Sequence, residues 1–150
     1  MKARDIMRTP VVTIKDKATL RDGVALLSAA RVGGLPVIND RGELVGIVTE
    51  FDIIKAVMPT YEDIISAEAG LLDPGIIEDR AYQVRDTPIA SVMTKHPVTL
   101  EESDSILRAA SAMITKRFRW LPVVKDKKPI GIVSRVDILQ ALMQRKASGS

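Results

Sequence analysis

The segment Leu35-Pro36-Val37, followed by Gly46-Ile47-Val48-Thr49-x-x-Asp52-Ile53, returns as Leu121-Pro122-Val123 followed by Gly131-Ile132-Val133-Ser134-x-x-Asp137-Ile138. A slide of 86 positions lays Met7 on Met93, Val12-Thr13 on Val98-Thr99, Arg31 on Arg117 and Pro36 on Pro122; from Gly46 onward the slide is 85, so the second hairpin is one residue shorter. A period this long marks a duplicated supersecondary unit, and two copies are expected to pack as a pseudo-symmetric pair rather than an open solenoid.

Each copy reads in the same order. A short extended stretch (Val11–Ile14, Val98–Leu100) precedes a helix whose apolar residues fall at helical spacing: Leu20, Val24, Leu27 and Ala30 in the first copy, Ile106, Ala109, Ala110, Met113 and Ile114 in the second. Two strands follow around turn chemistry, Asn39-Asp40-Arg41-Gly42 in one copy and Lys125 to Pro129 in the other. A last helix closes each unit, from about Phe51 to Met58 and from about Val136 to Gln144. The expected class is α/β, with two β-α-β-β-α repeats at 1–58 and 88–150, a tail fraying from Lys146, and a helical insert over 59–87 broken at Gly70 and Asp73-Pro74-Gly75. Thr87-Pro88 predicts a helix start, with Thr87 as N-cap.

The composition sets limits. With 150 residues, 46% of them hydrophobic, the chain can bury a full core as a soluble globular protein. It has no cysteine, which excludes disulfides, thiolate metal sites and cysteine nucleophiles. No apolar run is long enough to span a membrane and no signal-like segment follows Met1, so a cytoplasmic location is expected. The net charge is +3, but seven acids and two bases fall between Pro59 and Asp86, leaving a surplus of eight basic residues elsewhere. Such a body favours anionic partners: nucleotide phosphates, nucleic acid or an acidic protein face.

Thr49-x-x-Asp52 and Ser134-x-x-Asp137 each stand where a strand gives way to a helix, a place where free backbone N–H groups bind anions. A hydroxyl there can bond a phosphate oxygen, and an ionised Asp one turn on can accept from both hydroxyls of a ribose. The alternative is a capping box, in which the same residues only satisfy helix-end donors; such boxes favour Glu or Gln at the acidic position, which tilts two uses of Asp toward a ligand. The lone histidine, His96, makes a poor metal site, and neither a nucleophile with an adjacent base nor a pair of carboxylates at useful spacing is present, so no catalytic residue, metal or catalytic cofactor is expected.

These motifs, namely Met with Pro-Val and Thr (Met7, Pro10-Val11, Thr13; Met93, Pro97-Val98, Thr99), then Leu-Pro-Val, then Gly-Ile-Val-Thr/Ser-x-x-Asp-Ile, resemble the cystathionine β-synthase (CBS) domain family. Two tandem copies, covering about residues 3–58 and 88–145, are similar to a Bateman module. The resemblance implies a regulatory, non-enzymatic module that binds AMP, ADP, ATP or S-adenosylmethionine in clefts between the repeats. Carried over residue by residue, it implies one nucleotide site of Thr49, Asp52, Lys95, His96, Pro97, Phe118 and Arg119, and a second of Ser134, Asp137, Thr9, Pro10, Val11, Val32 and Gly33. It also implies a homodimer, with Ile54, Met58, Leu139 and Met143 at a helix interface, and a regulated protein partner not named by the sequence.

The two sites are not expected to be equal, because the first copy has Arg31-Val32-Gly33-Gly34 where the second has Arg117-Phe118-Arg119-Trp120. Arg119 reads as a phosphate contact or a solvated arginine. Trp120 can stack on a base, wall a pocket or pack in the core, and Gly33-Gly34 is a phosphate approach or a turn. Two other functions stay open. The basic, aromatic-interleaved run from Lys116 to Trp120 suits nucleic acid, and a structural dimerisation module with degenerate pockets would use the fold alone.

Overall fold

In the computed structural model, which describes residues 1–58, 61–70 and 75–144, the repeat is visible as two β-hairpins, each packed against helices. The first pairs β2 (Gly34–Ile38) with β3 (Leu44–Thr49), from Gly34 opposite Thr49 to Ile38 opposite Leu44. The second pairs β5 (Trp120–Lys125) with β6 (Lys128–Ser134), from Trp120 opposite Ser134 to Lys125 opposite Lys128. The one-residue difference lies in the turns. In the first, the Asn39 side chain accepts from the N–H groups of Arg41 and Glu43, and Gly42 takes φ 78°. The second is a two-residue turn with Asp126 and Lys127 both at positive φ, the sense that matches strand twist.

Helices α2 (Leu20–Ala30) and α6 (Ile106–Lys116) precede the hairpins. Each starts at a hydroxyl N-cap, Thr19 or Ser105, and ends on an arginine in the left-handed region, Arg31 or Arg117. Helices α3 (Glu50–Val57) and α7 (Arg135–Met143) follow β3 and β6 without a loop. The short leading elements are α1 (Ala3–Ile6) and β1 (Ile14–Lys15), and between the repeats lie α4 (Tyr61–Glu68), α5 (Ile76–Val84), a 3-10 turn at Ile89–Ser91 and β4 (Thr94–Lys95).

The leading segment of each repeat docks on the other repeat. Ala3 N–H donates to Asp104 O at 2.7 Å, and its counterpart Ile89 N–H donates to Ala18 O at 2.8 Å; Ile106 N–H donates to Met1 O as Leu20 N–H donates to Thr87 O. Strand β4 extends the first hairpin, with Thr94 opposite Ile47, while Arg8 bridges Ile132 on the second. The cores follow the same crossing. Ala3, Ile6 and Met7 pack with Leu100, Met113, Leu121 and Val133, whereas Ile89, Val92 and Met93 pack with Leu20, Leu35, Val48 and Ile53. Ile89 is wholly buried, so its docking alone is worth about 1.5–3 kcal/mol of apolar burial.

Three local expectations change. The extended stretch at Val11–Ile14 pairs only as β1, parallel to β2, and at Val98–Leu100 a single parallel bridge joins Leu100 to Val123. The last helices begin one residue earlier than read, because Thr49 and Ser134 are themselves the caps. Thr87 is not an N-cap: its carbonyl accepts from Leu20, Pro88 bridges Thr19, and the helix start is a 3-10 turn whose cap position is Pro88. The insert is helical in α4 and α5, with Gly70 at φ 78° between them; the break at Asp73-Pro74 and the tail from Lys146 lie outside the described residues. Among the described residues no helix is long and apolar enough to cross a membrane.

The crossing requires two close approaches. A Cβ on Gly46 would stand 2.6 Å from the Met93 sulfur and 2.8 Å from the Thr94 carbonyl oxygen; on Gly131 its three nearest neighbours would all be Met7 side-chain atoms, the nearest at 2.6 Å. Gly46→Ala and Gly131→Ala are each expected to destabilise the protein by about 1–3 kcal/mol in urea unfolding, Gly46→Ala the more because a backbone atom cannot step aside. Adding Met7→Ala should recover part of the Gly131→Ala loss, and Met93→Ala less of the Gly46→Ala loss.

Candidate ligand-binding site

The turn from β3 into α3 is built by Thr49 and Asp52. Thr49 is extended, at φ −120° and ψ 165°, so its hydroxyl accepts from the Asp52 N–H at 3.3 Å while Asp52 Oδ2 accepts from the Thr49 N–H at 2.9 Å and from its hydroxyl at 3.0 Å. The capping box is therefore formed. Asp52 Oδ1 turns the other way, across the repeat boundary, and accepts from the Thr94 hydroxyl at 3.2 Å. The helix-start N–H of Glu50 is already used, donating to Gly33 O at 3.0 Å.

This turn borders a cavity of about 600 Å³. On the first-repeat side it is lined by Gly33, Ile47 and Thr49 to Asp52, and on the other by Thr94 and the run from Arg117 to Trp120. That volume lies in the range of small-molecule sites. The wall has an apolar part in Ile47, Phe51, Ile54, Phe118 and Trp120, two cations in Arg117 and Arg119, and two acids in Glu50 and Asp52. A ligand with an aromatic ring, hydroxyls and an anionic end would find a partner for each.

The equivalent turn of the second repeat is filled differently. Ser134 and Asp137 form the same capping box, with Asp137 Oδ2 accepting from the Ser134 N–H at 2.8 Å. Arg8 then lies across the carboxylate, its Nε 3.0 Å from Oδ1 and 3.1 Å from Oδ2, and a terminal nitrogen 3.4 Å from the Ser134 hydroxyl. The guanidinium carbon is also 5.5 Å from the centre of the Trp120 ring. The indole sits over Gly33 and Gly34, where an added Cβ would come within 2.9 Å of Nε1 and Cγ respectively.

Of the residues grouped with Thr49 and Asp52 by resemblance, Phe118 and Arg119 line the cavity, and the leading segment contributes Thr94 where Lys95, His96 and Pro97 were expected. Lys95 and His96 are exposed, the latter at φ 52°. Of the second group, Ser134 and Asp137 meet Arg8, while Thr9 and Pro10 are exposed and Val11 is half-buried. Val32 packs on the first core, and Gly33 lines the Thr49 cavity because β2–β3 pairing holds Gly34 opposite Thr49. Thr94 and Arg8 were missed, although each follows the repeated Met by one residue. The motif alone overstates a ligand: Thr19-x-x-Asp22 forms the same box at α2 and does not line the cavity; its hydrogen bonds to Thr19 hold the Asp22 carboxyl below the usual carboxylate range. Among the described residues no group of three or more His, Asp or Glu could hold a metal ion.

The family model for the CBS domain matches residues 3–59 and again 89–144. The chain belongs to the CBS domain family. As a CBS pair it is 31% identical over 156 residues to the uncharacterized protein MJ1426 of Methanocaldococcus jannaschii, covering 95% of this chain and 92% of that one. It spans only 42%, 32% and 15% of the next three curated relatives' lengths. Among solved structures, CBSX2 of Arabidopsis thaliana in complex with AMP is 27% identical, with a TM-score of 0.71 over 95% of this chain and 96% of that one. The CBS domain pair of MJ0100, solved with 5′-methylthioadenosine and S-adenosyl-L-methionine, shares the fold, at 24% identity and a TM-score of 0.75 over 97% and 98% of the two chains.

Trp120 is the sole tryptophan, so its packing can be read directly. Gly33→Ala is expected to push the indole away, moving its emission maximum and lowering stability by about 1–3 kcal/mol. Unchanged emission in a folded variant would mean that the ring does not rest on this backbone.

Proposed function

We propose that this CBS pair is a regulatory sensor that binds an adenosine nucleotide (AMP, ADP or ATP) in the Thr49–Asp52 cavity and passes occupancy to a partner protein. The observation that carries the reading is the meeting, across one cavity, of the Thr49–Asp52 turn with Phe118, Arg119 and Trp120 of the other repeat. In this reading Asp52 accepts from the ribose hydroxyls, Thr49 and Thr94 reorient their hydroxyls around the sugar, Phe118 and Trp120 flank the base, and Arg117 and Arg119 meet the phosphates. AMP in the CBSX2 structure supports the adenosine part. Two arginines in the wall favour an anionic nucleotide over the sulfonium cation of S-adenosylmethionine.

Binding changes shape only through different affinity for two arrangements, and a cavity walled by both repeats provides that difference. The exposed apolar residues Ile54, Met58, Leu139 and Met143, along α3 and α7 and at the end of α3, support a homodimer. The nucleic-acid reading has less support, since Phe118 and Trp120 line a cavity of about 600 Å³, sized for a single nucleotide, rather than an extended surface on which successive bases could stack.

Titration calorimetry with AMP, ADP and ATP tests the reading. Asp52→Ala is expected to weaken all three about tenfold or more, the loss for hydrogen bonds to a charged acceptor. Arg119→Ala should weaken ATP more than adenosine. Binding should also change Trp120 emission, and Trp120→Phe should abolish that signal. Affinities unchanged in both Asp52→Ala and Arg119→Ala would overturn the assigned site.

A further inference from the structure

The two repeats share a backbone plan but fill their sugar-facing turns with opposite chemistry. The repeat slide carries Thr94 onto Arg8, Asp52 onto Asp137 and Thr49 onto Ser134. In the first repeat the carboxylate meets two hydroxyls, those of Thr49 and Thr94, beside an open cavity. In the second it meets a guanidinium that contacts both of its oxygens, and the Asp137 side chain is only 9% exposed.

We propose that Arg8 is a built-in occupant of the second sugar-binding turn, so that the chain takes adenosine nucleotide in one cleft and Arg8 sets that stoichiometry. The inference rests on reading Asp52 as a ribose acceptor. A hydroxyl both donates and accepts, so Thr94 can turn to make room for a ribose; a guanidinium only donates, and offers nothing to a ribose hydroxyl seeking an acceptor. To enter, a neutral diol must displace a guanidinium that is held by an ion pair as well as by hydrogen bonds, and the diol brings no opposite charge to the carboxylate. The Trp120 ring, 5.5 Å from the guanidinium carbon, adds a second hold on Arg8.

One cavity that borders Asp137 is unsuited to a nucleotide. It is a cavity of about 380 Å³ lined by Met1, Asp5, Ile6, Gln140, Ala141 and Gln144, with two carboxylates, counting Asp137, and no cationic side chain. A phosphate there would meet like charge. The first cavity, with its two arginines, is the opposite case.

The test counts AMP sites by equilibrium dialysis and calorimetry in the full chain, with circular dichroism and thermal melts to check folding. Arg8→Thr, which copies Thr94, is expected to gain one AMP site over the wild type, and Arg8→Thr with Asp137→Ala to lose it again. Arg8→Gln serves if the threonine variant does not fold. Arg8→Lys keeps a cation beside Asp137 and should gain none, whereas a merely structural role predicts no added site in Arg8→Thr or Arg8→Gln either. The count is a difference, so it is read whether or not the wild type binds: no added site in either folded Arg8→Thr or Arg8→Gln overturns the proposal. A wild type with two AMP sites overturns it as well. Failure of the first-site reading shows separately, as wild-type binding that survives Asp52→Ala.

Discussion

Each repeat completes its core with the leading segment of the other, and the rest of the structure depends on that exchange. Ala3 and Ile89 are both wholly buried, each in the core that its own repeat does not form. Neither half can close alone, so the sequence units of repetition are not the units of packing. The crossing also brings residues from distant parts of the chain to each strand-to-helix turn. Thr94 reaches Asp52 because β4 is hydrogen-bonded to β3, and Arg8 reaches Asp137 because its backbone is bonded to Ile132. A ligand in either cleft would therefore touch both halves, the geometry a sensor needs if binding is to alter how the halves sit.

Duplication supplies two such turns, and a few side chains make them unlike. Where the first repeat has Gly33 and Gly34, the second has Arg119 and Trp120; with no Cβ on the glycines, the indole lies close against their backbone. That packing puts Trp120 at the junction of the halves, lining the open cavity and lying beside Arg8. Arg119, one residue earlier, lends its charge to the same cavity. The asymmetry is one of chemistry rather than of fold, since the caps at Thr49 and Ser134 are built alike.

Most of the fold could be read from the sequence because its signals are local or repeated. Hairpin turns at Asn39–Gly42 and Asp126-Lys127, apolar spacing in α2 and α6, and the two strand-to-helix junctions each depend on a few neighbouring residues. What could not be read is what depends on distance. Nothing local to Ala3 says that it is buried among Leu100 and Leu121, and nothing local to Thr87 says that its carbonyl will serve α2. The cavity wall divides in the same way. Thr49 and Asp52 stand out as a motif and Phe118 and Arg119 follow from the family resemblance, but the register of the leading segments, which offers Thr94 and Arg8 in place of Lys95 and Thr9, is fixed by pairing partners far along the chain.

The capping boxes show how one motif can cap a helix and still leave acceptor positions for another partner. An ionised carboxylate offers about four acceptor positions, and a box uses only those facing its own backbone. At Asp22 the remaining positions face solvent, and the motif is a cap and nothing more. At Asp137 they are taken by Arg8. At Asp52 they face a cavity and a hydroxyl able to turn aside, so the cap fixes the carboxylate's orientation without using it up. Pre-orientation of this kind lowers the entropy lost on binding, because the acceptor is already held in place by the helix it caps. The same sequence of residues thus has three outcomes, decided by which side chain from elsewhere in the chain arrives at its free face.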